Sequence, residues 1–129
     1  MGSGGDRQRA GHTDPIAAGR LLVLEAELRR LLPLLVEAGA SRVVLYGSAC
    51  RGEVRADSDL DLLVVMPPDA APLPVRLARL YGGLAPRVPC DILAYTPAEL
   101  RALAALPGPV AQALAEGRTV YQCPPSDGP

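Results

Sequence analysis

Apolar side chains recur at helical spacing from Leu21 to Val36, through Leu24, Leu28, Leu31, Leu32 and Leu35, and mark one face of an amphipathic helix. Asp14-Pro15 just upstream is a start signal: an acid at the N-cap, then a proline where a missing N–H costs nothing. Pro33 falls inside the pattern and is expected to kink the helix or restart it, because it cannot donate to the helical ladder. Gly39 reads as the C-terminal stop. The period then changes. Arg42 to Tyr46 and residues 60–66 are short, nearly unbroken apolar runs, the pattern of buried strands. The second run is apolar on both alternating faces apart from its aspartates, so it reads as a central strand covered on both sides. Between the two runs, Gly47-Ser48 leads into a short helical turn over residues 49–53.

Pro67-Pro68 closes the second strand, and Pro72-Leu73-Pro74 opens a helix that runs to Gly82-Gly83. Residues 88–95 form a third strand. Thr96-Pro97-Ala98-Glu99 is a capping box with proline at the first helical position, so a helix follows through Leu103. A further short helix spans residues 109–116 and ends at Gly117, and residues 118–122 are extended. Residues 1–13 have no period and read as a disordered leader, in part a cloning remnant, and residues 123–129 as a flexible tail. Residues 14–122 are then one domain. Its order of helix, strand, strand, helix, strand, helix, helix gives an α/β (α+β) fold, with helices packed on a sheet of three or more strands.

Composition narrows this without changing it. The chain has 129 residues, one domain by the usual size range, and 49% of them are apolar with no Phe and no Trp, so Leu, Val and Ala must build the core. No apolar run approaches the ~18 residues of a membrane span, and no signal-peptide pattern is present; a soluble, cytoplasmic protein is expected. All 13 basic residues are arginine, as coding bias in a GC-rich genome would produce. Any phosphate-binding cation must therefore be arginine, and no lysine can act as a base or a P-loop cation. A formal net charge of −1 argues against direct binding along a long nucleic acid. Cys50, Cys90 and Cys123 fit no metal or redox spacing and read as reduced thiols. His12 is the single histidine and lies in the leader, which leaves zinc sites and histidine triads without support.

The candidate chemistry is acidic. Asp59 and Asp61 sit at i and i+2 and point to one face of a strand, where like charges repel unless a cation or proton is shared. Ligation by oxygen alone suits magnesium. Asp91 is a third acid flanked by apolar strand residues, where unpaired charge is costly. Should the third strand lie beside the second, three carboxylates meet, and such a cluster can hold two Mg2+ ions that bind a triphosphate and polarise an attacking hydroxyl. Gly47-Ser48 offers backbone N–H groups and a hydroxyl to an anion; taken alone it is an ordinary strand-to-helix turn with a serine cap, and its spacing to the aspartates favours the anion. Arg51 has two readings, a phosphate counter-charge or a surface ion pair with Glu53 or Asp57. The competing account of the acids is a turn acid and two exposed acids at strand ends.

Gly47-Ser48, Arg51-Gly52, Ser58-Asp59-Leu60-Asp61 and a later strand acid at Asp91 together resemble the signature of the minimal nucleotidyltransferases, small members of the DNA polymerase β-like superfamily. The resemblance covers roughly residues 42–95; Cys50, where a small residue such as Ala is usual, is a minor departure. It implies a polymerase β-like fold with a small mixed β-sheet. It also implies Asp59 and Asp61 as ligands of both metal ions, Asp91 on the catalytic ion nearest the acceptor, and Gly47, Ser48, Arg51 and Ser58 around the nucleotide. The implied reaction moves AMP from ATP to a hydroxyl. For stand-alone members the implied role is antitoxin, adenylylating a tyrosine of a HEPN-type toxin that supplies the acceptor. The alternatives are an aminoglycoside-type transferase acting on a small molecule and a non-catalytic antitoxin acting by binding alone. The surplus of leucines in the first helix leaves room for a partner surface or a homo-oligomer.

Overall fold

The computed structural model describes residues 14–124, so the expected leader at 1–13 and residues 125–129 of the expected tail lie outside the described residues. Helix α1 spans Pro15–Glu37 and starts as its chemistry requires, with the Asp14 carboxylate accepting the Ile16 N–H at 3.0 Å. It runs unbroken through Pro33. The expected restart does not occur: Leu31 and Leu35 on either side of the proline are fully buried, and their packing outweighs one missing ladder bond. The helix stops at Gly39, whose φ of +107° few side chains tolerate. Gly39 N–H donates to Val36 O and Ala40 N–H to Leu35 O, each at 3.0 Å, the paired bonds of a Schellman cap.

Four strands follow: β1 (Arg42–Tyr46), β2 (Leu60–Val65), β3 (Cys90–Tyr95) and β4 (Arg118–Gln122). They form one mixed sheet in the order β3-β2-β1-β4. β1 is antiparallel to β2 and to β4, and β2 is parallel to β3. β2 is central, as its two apolar faces require, with Leu62, Leu63 and Val64 fully buried. The short helix α2 (Ser48–Arg51) links β1 to β2, α3 (Leu73–Leu84) precedes β3, and α4 (Pro97–Ala104) and α5 (Pro109–Glu116) lie between β3 and β4. α3 continues past Gly82-Gly83 to Leu84, because Leu80 and Leu84 anchor that last turn in the core. β3 begins at Cys90 and not at residue 88, since Pro89 has no N–H for a ladder. Asp91 is therefore its second residue and not a mid-strand position.

Strand alternation sorts the core into two layers. Val43, Leu45, Leu60, Leu62, Val64, Ile92 and Ala94 pack against α1 and α3. On the other face Val44 and Leu63 pack with Ala113 of α5, joined by Leu93, Leu100 and Leu114. Ile16, Leu22, Val23 and Val36 of α1 remain exposed.

Charged ties fasten α1 and α4 to α3. Glu27, buried on the core side of α1, holds Arg30 at 2.7 Å and accepts the Arg87 N–H at 2.6 Å. Arg30 in turn donates to Leu84 O and Ala85 O at the end of α3. Arg76 of α3 forks onto Glu99 of α4 at 3.0 and 2.7 Å, while Glu99 also closes the capping box on Thr96.

Hydrogen bonding and the charge of Arg76, with the Thr96 N–H, hold the Glu99 carboxyl down at about 2, below its ordinary 4.5. A depressed carboxyl stabilises the fold above the unfolded value and loses that contribution as pH falls towards the folded one. The thermal midpoint should therefore drop between pH 4.5 and pH 2 by more in the wild type than in Glu99→Gln. Parallel calorimetric scans in this window check it, and equal slopes would exclude the tie as a source of acid sensitivity.

Candidate active site

The polar cluster sits where β1 ends and β2 and β3 begin. Tyr46 of β1 is paired with Asp61 of β2, and Asp61 in turn with Asp91 of β3. Register neighbours on adjacent strands point to the same face, so Tyr46, Asp61 and Asp91 form a row across three strands. The row lies on the face packed by α4 and α5, one step beyond the apolar row of Val44, Leu63 and Leu93. Asp59, in the loop two residues before Asp61, lies close enough for its charge to act on the Asp61 carboxyl. Asp59 and Asp61 are partly buried and Asp91 is exposed. The expected adjacency of the second and third strands is thus present, and the three acids are brought to one corner of the sheet.

Burial, followed by the charges of Asp59 and Asp91, pushes the Asp61 carboxyl up to about 7 from an ordinary 3.8. The Tyr46 phenol is held well above its ordinary value by burial and then by the charges of Asp91, Asp61 and Asp59; it stays protonated as a donor at the cluster. The local field is strongly negative and favours a cation. Among the described residues, no three His, Cys, Asp or Glu side chains are drawn together tightly enough to hold an ion unaided. The donor set, oxygen only and anionic, nevertheless fits a hard divalent ion.

Gly47 turns the chain from β1 into α2 at φ +77° and ψ −157°, a conformation closed to residues with a Cβ. A Cβ at this position would overlap Oδ2 of Asp61, so the glycine lets the turn close directly over the carboxylate. Ser48 opens α2, and Arg51 ends it. Arg51 is paired with Glu53 at 2.8 Å, as its ion-pair reading expects, and also reaches Glu116 of α5 at 3.7 Å, a partner that sequence spacing did not suggest. The Ser58 hydroxyl accepts the Arg55 N–H at 2.8 Å and so braces the loop. Arg20 of α1 donates to Ser58 O at 2.9 Å; nothing local to the loop announced that tie. The place of Tyr46 in the acidic row follows only from the strand pairing. A cavity of about 330 Å³ lies at the opposite end of β2, lined by Leu34, Met66, Leu80 and Leu84 among others, and touches none of the three acids.

The mixed four-stranded sheet with its helices has the fold of the polymerase β-like nucleotidyltransferases. The chain belongs to the nucleotidyltransferase domain family, whose profile matches residues 24–116. Among solved structures it is similar to a protein assigned as a minimal nucleotidyltransferase, with 35% identity, a TM-score of 0.50, and coverage of 83% of this chain and 96% of that one. A Sulfolobus solfataricus protein assigned as a nucleotidyltransferase superposes with a TM-score of 0.64 at 13% identity, over 86% of this chain and 91% of the other. A toxin–antitoxin structure with AMP-PNP matches at 20% identity and a TM-score of 0.50, covering 73% of this chain and 72% of that one. Among curated proteins the sequence finds no match. No helix of the described residues is long and apolar enough to cross a membrane.

Two outcomes follow from the cluster. Gly47→Ala should lower the thermal midpoint, through about 1–3 kcal/mol of backbone strain and a Cβ set against the Asp61 carboxylate; calorimetry of the variant beside wild type checks it. The second concerns Asp61. Its raised carboxyl stabilises the fold below the ordinary 3.8, and that contribution is lost as pH rises through about 7. A divalent ion relieves the repulsion left above this pH, so added Mg2+ should raise the thermal midpoint more at about pH 8 than at about pH 6. The Mg2+ effect should vanish in Asp61→Asn; an equal shift in that variant would place the ion elsewhere.

Proposed function

We propose that this nucleotidyltransferase transfers AMP from ATP to a hydroxyl of a partner protein, with magnesium bound at Asp59, Asp61 and Asp91. The observation that carries the reading is the register pair of Asp61 and Asp91, with Asp59 in the adjoining loop close enough for its charge to act on Asp61. Bound there, a divalent ion would neutralise phosphate charge and activate the acceptor hydroxyl. The backbone at Gly47 can approach the β- and γ-phosphates, and the Ser48 N–H and hydroxyl can donate to them. The acceptor oxygen attacks the α-phosphorus, the bond from that phosphorus to the bridging oxygen breaks, and pyrophosphate leaves. Asp91, the exposed member of the row, faces the entry side and takes the acceptor's proton. Arg51 can reach a phosphate only by exchanging its pairing with Glu53 and Glu116; both partners are on the surface, where such pairs are weak. Ser58 acts through the loop that presents Asp59.

A macromolecular acceptor is favoured by the open setting of the acids. Neither the 330 Å³ cavity nor a smaller one between α1 and α2 is lined by them, and Asp91 is exposed. The fold shared with a protein from a toxin–antitoxin structure supports a toxin as the partner, and a HEPN-type toxin with an acceptor tyrosine is the specific form of this reading.

The test incubates the protein with Mg2+, ATP labelled at the α-phosphate, and the product of the adjacent gene. Label should move to the partner, and Asp59→Asn or Asp61→Asn should reduce the rate by at least about a hundredfold. A partner inhibited equally by wild type and by both variants, with no label incorporated, would replace transfer by binding alone. Label on an aminoglycoside in place of the protein would select the small-molecule reading.

A further inference from the structure

β3 is the outer strand of the sheet and pairs with β2 alone. Along that pairing Pro89 O accepts the Leu60 N–H at 3.0 Å, and Tyr95 O accepts the Met66 N–H at 2.8 Å. Backbone alternation therefore turns the peptide groups of Cys90 and Ile92 outward, away from β2. Tyr81 of α3 meets both of them. Its hydroxyl accepts the Ile92 N–H at 3.0 Å and donates to Cys90 O at 3.3 Å. Cys90 and Ile92 are the two neighbours of Asp91, so a single phenol closes the outer edge of β3 on both sides of that carboxylate. The Tyr81 ring is itself held in the core between α3 and the sheet, which makes the hydroxyl a fixed point.

We infer that Tyr81 is a positioning residue for Asp91, taking the place of a missing neighbour strand and fixing the backbone that carries the carboxylate. The inference rests on the reading of Asp91 as a member of the metal and acceptor site. Asp59 and Asp61 are held by β2 and its loop, and the phosphate turn by β1 and α2; neither depends on this edge. Removing the hydroxyl alone leaves the ring in the core and Asp91 in the sequence, but leaves Ile92 N–H without its acceptor. A small shift of a carboxylate that must meet reacting atoms is enough to slow chemistry severely.

The test compares wild type, Tyr81→Phe, Asp91→Asn and the double variant, by Mn2+ titration in the presence of α,β-methylene-ATP, read by electron paramagnetic resonance. The titration needs no acceptor and no turnover. Tyr81→Phe should weaken Mn2+ binding severalfold in the wild-type background and have no further effect once Asp91 is Asn. With a protein acceptor, kcat should fall about tenfold while KM for ATP stays within about twofold. Equal weakening in both backgrounds would reduce Tyr81 to a structural tie, and unchanged Mn2+ binding in Tyr81→Phe would overturn the inference. Asp91→Asn indistinguishable from wild type in both assays would remove the role of Asp91, and the positioning role with it. Transfer absent from wild type while the Mn2+ pattern holds would instead remove the proposed acceptor and leave the positioning role standing.

Discussion

Charge repulsion at the end of the buried strand pair is the constraint on which the rest of this structure depends. Asp61 and Asp91 are in register on parallel neighbours, Asp59 is two residues from Asp61, and burial removes much of the solvent that would screen Asp61. Such a corner is unfavourable by itself. It is held because each strand continues into a layer that cannot be moved cheaply: Leu62, Leu63 and Val64 are fully buried immediately after Asp61, and Ile92 and Ala94 are buried after Asp91. Two apolar layers thus hold the acids together against their charge.

The polar ties outside the site serve the same geometry. Glu27 and Arg30 fasten α1 to the end of α3, Arg76 and Glu99 fasten α3 to α4, and Arg20 holds the loop that presents Asp59. Each connects elements on different segments of the chain, so the acids are fixed from several directions at once. Gly47 completes the arrangement by letting the turn close over Asp61 without a side chain between them. Pre-organisation of this kind suits a reaction that depends on placing phosphates and an acceptor and needs no covalent chemistry from the protein.

The large cavity at the far end of β2 shows why shape alone is a poor guide here. It is lined mainly by apolar side chains, and its arginines, Arg76 and Arg79, are engaged by Glu99 and Asp69. The acids lie at the other end of β2, outside the cavity.

Much of this was legible in the sequence, and the part that was not has a physical cause. Helical spacing, the Asp14-Pro15 start, the Gly39 stop and the Thr96-Glu99 capping box are local, so each can be read from a few adjacent residues. The spacing from Gly47-Ser48 to Asp59 and Asp61 is local as well, and with it the family resemblance that the profile over residues 24–116 bears out. The tertiary structure alone decided that β3 lies beside β2 in register, which brings Asp91 to Asp61. It also carried α1 through Pro33, placed Tyr46 in the acidic row, and paired Arg51 with Glu116 across 65 positions of sequence. These outcomes depend on contacts between segments far apart in the chain, whose energies are set by packing and not by any short pattern. The Gly-Ser turn and the two aspartates could be found by spacing; that they form one corner with a third acid, backed by the Tyr81 hydroxyl, required the sheet.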